Sequence, residues 1–181
     1  MNKHYNALEL NKVLNLLTKY TSCEDAAYQA EHLVPESNLE LAKALLGQTE
    51  DAHMLMAKFG APSFGGLKNV NNSLSRANAG GALNMRELLD IAEVLRVIRS
   101  LSEWRKKNSG VETRIDTYFF SLYPNKYLED KITSAIISED EMSDNASPAL
   151  YDIRRKMRIA SSKVRDKLDQ MTRSQHFQKF L

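Results

Sequence analysis

From Pro148 to Leu181 the sequence holds no glycine and no further proline, while Leu150, Ile153, Met157, Ala160, Val164, Leu168 and Met171 recur at steps of three and four. A near-heptad stripe on so uninterrupted a stretch reads as one long helix with an apolar seam, as in a coiled coil or a helical hairpin. Ser147-Pro148 marks its start, a capping hydroxyl followed by proline at the first helical position, where the missing N–H costs nothing. About 27 residues at 1.5 Å each make an arm of roughly 40 Å. A helix with a single apolar stripe cannot bury it alone, so the arm calls for a partner helix. The sequence ends at Phe180-Leu181 with neither a cap nor a polar tail, which reads as an interruption inside a larger protein.

Breakers are as scarce upstream. Seven Gly and four Pro among 181 residues make about 6%, where ~12% is usual. With 43% hydrophobic residues the chain can bury a core, and with so few turn formers the expectation is a mainly all-α helical bundle, not a many-turned β-sandwich. Leu10, Val13, Leu14, Leu17 and Tyr20 predict a first helix over about 5–20. Thr21 and Ser22 cap a second, with Glu24 and Asp25 in its first turn and Pro35 beyond its end. Ser37 or Asn38 caps a third that runs to Gly60. Residues 60–66, Gly-Ala-Pro-Ser-Phe-Gly-Gly, form a tight turn in which Phe64 is expected to plug a core edge. A short helix through Val70, Leu74 and Ala77 closes at Gly80-Gly81. The next runs from about Asn84 to Trp104, turns Leu88, Leu89, Ile91, Ala92, Leu95 and Ile98 inward, and frays in Arg105-Lys106-Lys107-Asn108. Ile115, Tyr118, Phe119, Leu122 and Tyr123 fit either a helix or a buried extended segment, with Tyr118, Phe119, Phe120 and Tyr123 expected in the core. Leu128, Ile132, Ala135 and Ile136 resume helical spacing, and a small β-hairpin is suggested near 132–146. The organisation expected is a helical core domain over 1–146 and the start of a coiled-coil-like arm over 147–181.

Charge follows the same division. Residues 1–146 carry 16 Lys and Arg against 20 Asp and Glu, and residues 147–181 carry nine against three. The body is therefore mildly acidic and the arm strongly basic. A basic helix points to a polyanion, bound through phosphate neutralisation and counterion release; a solvated face laced with charge pairs is the alternative. The single cysteine suits a reducing compartment, and no apolar run resembles a membrane span or a signal core. The expected setting is cytoplasmic, with no membrane partner.

Groups able to do chemistry do not converge. His4, His32, His53 and His176 fall on different predicted elements without metal-ligand spacing. Cys23 stands near a predicted helix N-terminus with no accompanying base. Glu139-Asp140-Glu141 and Asp144 lack the spacing of a calcium loop, and Gly65-Gly66-Leu67-Lys68-Asn69 is not a phosphate loop. The sequence assigns no catalytic residue, no metal ligand and no cofactor-binding residue.

Several blocks nevertheless resemble one family. Pro62, Phe64-Gly65-Gly66-Leu67, Leu74, Arg76-Ala77, Gly80, Leu83, Glu87-Leu88-Leu89, Ile91, Leu95 and Arg99 are similar to the N-terminal region of the second bacterial MutS family, MutS-II. So is the opening Ala7-Leu8-Glu9 with Val13, Leu14 and Leu17. Asp144-Asn145-Ala146-Ser147-Pro148-Ala149-Leu150 with Ile153-Arg154 resembles the opening of that family's lever helix, and Val164-Arg165-Asp166-Lys167-Leu168 its continuation. The resemblance implies a much longer parent that begins with a helical core, continues through lever and clamp arms to a dimerising P-loop ATPase, and commonly ends in an Smr nuclease domain. It implies ATP and Mg²⁺ as cofactors of the parent and none in this segment. Double-stranded or branched DNA, the ribosome, or both are the implied partners of a homodimeric clamp that suppresses homologous recombination and splits stalled or collided ribosomes. Here the segment is the non-catalytic core and outgoing strand of the lever, transmitting the ATPase state mechanically. Arg154, Arg155, Arg158, Lys163 and Arg165 are the candidate nucleic-acid contacts, and reversing Arg154, Arg155 and Arg158 is expected to weaken binding and flatten its salt dependence. The competing reading is a free-standing helical adaptor that pairs with a partner helix through residues 147–181.

Overall fold

The structure, a computed structural model, describes residues 3–173; His176, Lys179 and the ending at Phe180-Leu181 lie outside them. Among the described residues the fold is all-α, and it divides into two compact units, one up to Asp130 and one from Lys131.

The first unit opens with α1 (Lys3–Ala7) and α2 (Leu10–Thr18), where the spacing predicts one continuous helix. The break falls at Glu9, whose φ of 53° puts it in the left-handed region. Glutamate gains nothing there intrinsically, but its carboxylate receives the Lys12 ammonium at 2.6 Å. With the axis redirected, α2 buries Leu14 and packs on α3 (Glu24–Glu31). The cap of α3 is Cys23, one residue past the expected Ser22, and Glu24 and Asp25 occupy its first turn as anticipated. Asn38 caps α4 (Leu39–Phe59) by accepting the Glu40 and Leu41 amides at 3.0 and 3.2 Å, and Gly60, at φ 79°, ends it.

In the turn that follows, Phe64 does not plug the core. It is 41% exposed, and in the same turn Gly66 takes a φ of 89° with the Glu93 side chain close over its backbone. Next come α5 (Asn71–Asn78) and α6 (Met85–Lys107), the latter started by a reciprocal capping box between Asn84 and Glu87. The buried side of α6 is Ile91, Ala92, Val97, Leu101, Ser102 and Arg105, so the inward face continues past Ile98. The helix also does not fray at Arg105, which is 5% exposed.

The stretch left open between helix and extended segment contains a short α7 (Asp116–Phe120) packed on α6. Of the four aromatics expected in the core, Tyr118, Phe120 and Tyr123 are 60%, 73% and 83% exposed, while Phe119 is half-buried with its ring 5.8 Å from that of Trp104. The residue that α7 buries is Asp116, and satisfying that carboxylate fixes which way the short helix faces. The apolar core of this unit is thin, with Leu55 its one nearly inaccessible large side chain among the described residues. Polar clasps supplement it. Arg76 pairs with Glu87 between α5 and α6, Asn69 donates to Asp25 at 2.8 Å, Arg114 binds Asp51 of α4, and Arg99 grips Glu129 with two bonds of 2.8 and 2.9 Å.

Glu129 lies on α8 (Lys126–Ala135), whose last turn begins the second unit. Ile132 and Ile136 are buried there as their spacing suggests. No strand forms near 132–146. Helix persists to Ala135, and a single antiparallel bridge from Ile136 to Met142 closes the loop, with Ser143 N–H donating to the Ala135 carbonyl at 2.9 Å. Helical backbone bonding up to Ala135 leaves too few residues for a ladder. A 3₁₀ turn at Asp144–Ala146 leads into α9 (Pro148–Arg173), a helix of 26 residues.

Candidate nucleic-acid interface

The basic helix α9 begins as its sequence dictates. Ser147 Oγ accepts the Leu150 amide at 3.1 Å, with Pro148 in the first turn. Its apolar stripe is bare: Ile153, Met157, Val164 and Leu168 are 55%, 63%, 59% and 55% exposed. Among the described residues the element packed against α9 within its unit is the 3₁₀ turn at its foot.

That contact is electrostatic. Arg154 Nη1 donates to Asp144 Oδ1 at 2.6 Å and to the Met142 carbonyl at 2.7 Å, while Arg158 Nη1 reaches Asp144 Oδ2 at 2.9 Å. One carboxylate thus bridges two guanidiniums a turn apart on the helix. The hydrogen bond from Arg154, then that from Arg158, holds the Asp144 carboxyl below its usual range. The five candidate contacts are therefore not equivalent. Arg154 is half-buried, and both it and Arg158 already hold an anion. Arg155, Lys163 and Arg165 are exposed and form no ion pair among the described residues, as is true of Lys156 and Lys167. Asp144 was the functional neighbour hidden in the sequence. It opens the block Asp144-Asn145-Ala146-Ser147-Pro148, but ten and fourteen residues separate it from its arginines, and no local periodicity announces such a pairing.

The groups that chemistry would require stay scattered. His32 Nδ1 lies 2.8 Å from the Tyr28 carbonyl, and its ring stacks on Tyr28 with centroids 4.0 Å apart. Cys23 is half-buried at the start of α3, in a groove shared with Asp25, Lys68 and Asp90. Lys68, which follows the Gly65-Gly66 turn, is held by Asp90. The turn thus offers a nucleotide phosphate neither the glycine spacing nor a free ammonium. Among the described residues no group of three or more His, Cys, Asp or Glu is placed to hold a metal ion, and no helix is long and apolar enough to cross a membrane.

No protein-family model matches the chain. Curated relatives do. The chain is 37% identical to Endonuclease MutS2 of Acetivibrio thermocellus over 178 residues, which is 96% of this chain and 22% of that protein. It is 34% identical to Endonuclease MutS2 of Ruminiclostridium cellulolyticum over 181 residues, 99% of this chain and 23% of the relative. Against Endonuclease MutS2 of Clostridioides difficile it is 35% identical, again over 99% of this chain and 23% of the relative. The chain spans between a fifth and a quarter of the length of these relatives. Aligned almost from end to end with proteins of one name, it belongs, over the segment it spans, to the MutS2 family.

Proposed function

We propose that this segment is the N-terminal core and outgoing lever strand of a homodimeric, ATP-driven clamp that closes on duplex or branched DNA, on ribosomes, or on both, in the cytoplasm. The relatives are named endonucleases, and on this reading strand cleavage, like ATP turnover, belongs to the parts of the parent that this segment does not match. The residues present do not fit a nucleotide cradle, since Lys68 after the Gly65-Gly66 turn is held by Asp90. The segment's task is mechanical, carried in the first unit by its clasped helices and in the second by the long helix α9. Recombination suppression and the splitting of stalled ribosomes follow from a clamp that changes state with its ATPase.

The observation that carries the reading is α9 itself, a 26-residue helix with an exposed apolar stripe and a surplus of cations that form no ion pair among the described residues. The stripe suits a second helix and the cations suit phosphate. The test is binding of the full-length protein to duplex DNA, branched DNA and ribosomes across a salt titration, before and after Arg155, Lys156, Lys163, Arg165 and Lys167 are neutralised together. Weaker binding with a flatter salt dependence is expected. Identical curves would remove α9 as a contact surface. The exposed stripe also suits the adaptor reading, which instead expects pairing with a partner helix through residues 147–181 and no dependence on nucleic acid.

A further inference from the structure

We propose that the phosphate backbone of a double-stranded nucleic acid runs along one edge of α9, on the row Lys156, Lys163 and Lys167, and that Arg154 and Arg158 serve the foot of the helix instead. The inference rests on the reading of α9 as a nucleic-acid interface and adds which face is used.

Helical geometry separates the cations into two rows. At about 100° per residue, Lys163 and Lys167 fall about 20° to either side of Lys156, a row about 40° wide, while Arg154, Arg158 and Arg165 form a second row. The apolar stripe runs between them, its centre about 80° from the lysines and about 100° from the arginines. The arginine row is spoken for at its start, where Asp144 bridges Arg154 and Arg158 and the Met142 carbonyl takes a further bond from Arg154. Drawing either guanidinium to a phosphate means giving up a two-arginine carboxylate contact at the base of the arm. The lysine row has no such occupant. Of the aspartates of α9, Asp152 borders the row one turn before Lys156 and about 40° round from it, Asp166 and Asp169 lie farther towards the back of the helix, and none forms an ion pair with a lysine among the described residues.

Length and accessibility point the same way. From Lys156 to Lys167 the axis rises about 16 Å, which faces about five phosphates of one strand at 3.4 Å each. Ammonium groups on long, rotatable stems meet a backbone as point charges without demanding a fixed geometry, which suits contact without sequence readout. Because the row stands well round the helix from the stripe, a second helix seated on the stripe leaves the lysines open.

Salt dependence separates the two rows. Anisotropy titrations of the full-length protein from 50 to 200 mM salt would use a DNA duplex and an RNA duplex of equal length. With DNA, the triple variant Lys156→Gln, Lys163→Gln, Lys167→Gln is expected to flatten the slope of log K against log salt by about 2.7, at about 0.9 per lost phosphate contact. The affinity lost across that salt range then shrinks about 40-fold. The corresponding triple Lys→Arg variant keeps the slope. Arg154→Gln with Arg158→Gln leaves it unchanged while raising amide exchange at the start of α9. Flattening with both duplexes assigns the shared backbone chemistry, and flattening with one assigns that helical form. A triple glutamine variant that retains helicity and the full slope, or a slope lost from the arginine pair instead, overturns the lysine row. If the unsubstituted protein shows no salt-dependent binding to either duplex, the interface reading fails along with it.

Discussion

Arg105 and Asp116 are 5% and 8% exposed and meet through two bonds, Nε to Oδ1 at 2.6 Å and Nη2 to Oδ2 at 2.8 Å. Arg105 also donates to the carbonyls of Asn108 and Val111, each at 2.5 Å, and Asp116 accepts the Thr113 amide at 2.9 Å and its hydroxyl at 2.8 Å. A buried pair so completely satisfied adds little over an apolar pair, but removing one partner strands the other charge. Asp116→Asn is therefore expected to cost about 3 kcal/mol, read in the full-length protein as roughly 100-fold faster amide exchange around the α6–α7 junction. The Arg105 hydrogen bond holds the Asp116 carboxyl at about 2, below its ordinary 3.8. A depressed carboxylate stabilises the fold above its unfolded value and loses that contribution as pH falls towards about 2. Local exchange should accelerate between about pH 4 and pH 2 in the natural sequence and change less over that range in Asp116→Asn; equal acceleration in both would reject the pair as the cause. None of this was legible from the residues. Arg105-Lys106-Lys107-Asn108 has the composition of a fraying end, and a lone acid before Tyr118-Phe119-Phe120 carries no mark of burial, because the partner is reached only by folding the 108–115 loop back.

At the scale of elements the sequence was far more open. Caps are local, so their chemistry is written within four residues. Asn38, the helix start at Asn84, Ser147-Pro148 and the closing glycines at 60 and 80 all fall where the pattern places them, and the reciprocal box between Asn84 and Glu87 adds what the pattern did not name. Two failures have a common cause. The break at Glu9 and the loop after Ala135 depend on what the neighbouring helix must bury, and apolar spacing alone does not report where an axis turns. The Ser147 cap is the simplest of these devices to weigh. Ser147→Ala should cost about 1 kcal/mol, seen as roughly fivefold faster exchange of the Leu150 amide, with the middle of α9 unaffected. Should Leu150 exchange at its former rate, the Asp144 bridge would have to hold the first turn unaided.

Taken whole, the described chain leaves an unusual share of its apolar side chains in contact with solvent. In the first unit, Tyr20, Val34 and Leu46 are 85%, 70% and 70% exposed, and within one ten-residue stretch Tyr118, Phe120, Tyr123 and Tyr127 range from 60% to 83%. Exposed tyrosine and phenylalanine together are the composition of interface centres. The stripe of α9 repeats the pattern in the second unit. The chain matches between a fifth and a quarter of its relatives' length, and on the proposed reading it meets the remainder of a longer parent through these faces. The expectation that Tyr118, Phe120 and Tyr123 lie in the core is thus not met within the described residues, and the proposed reading assigns their burial to the parent. Tyrosine-selective labelling followed by mass spectrometry can decide the point. In the full-length protein Tyr123 and Tyr127 should react at least several-fold more slowly than an exposed tyrosine in a short unfolded peptide. Reaction at the peptide's rate would mean that this surface meets solvent in the parent too, and that its aromatics await a separate partner.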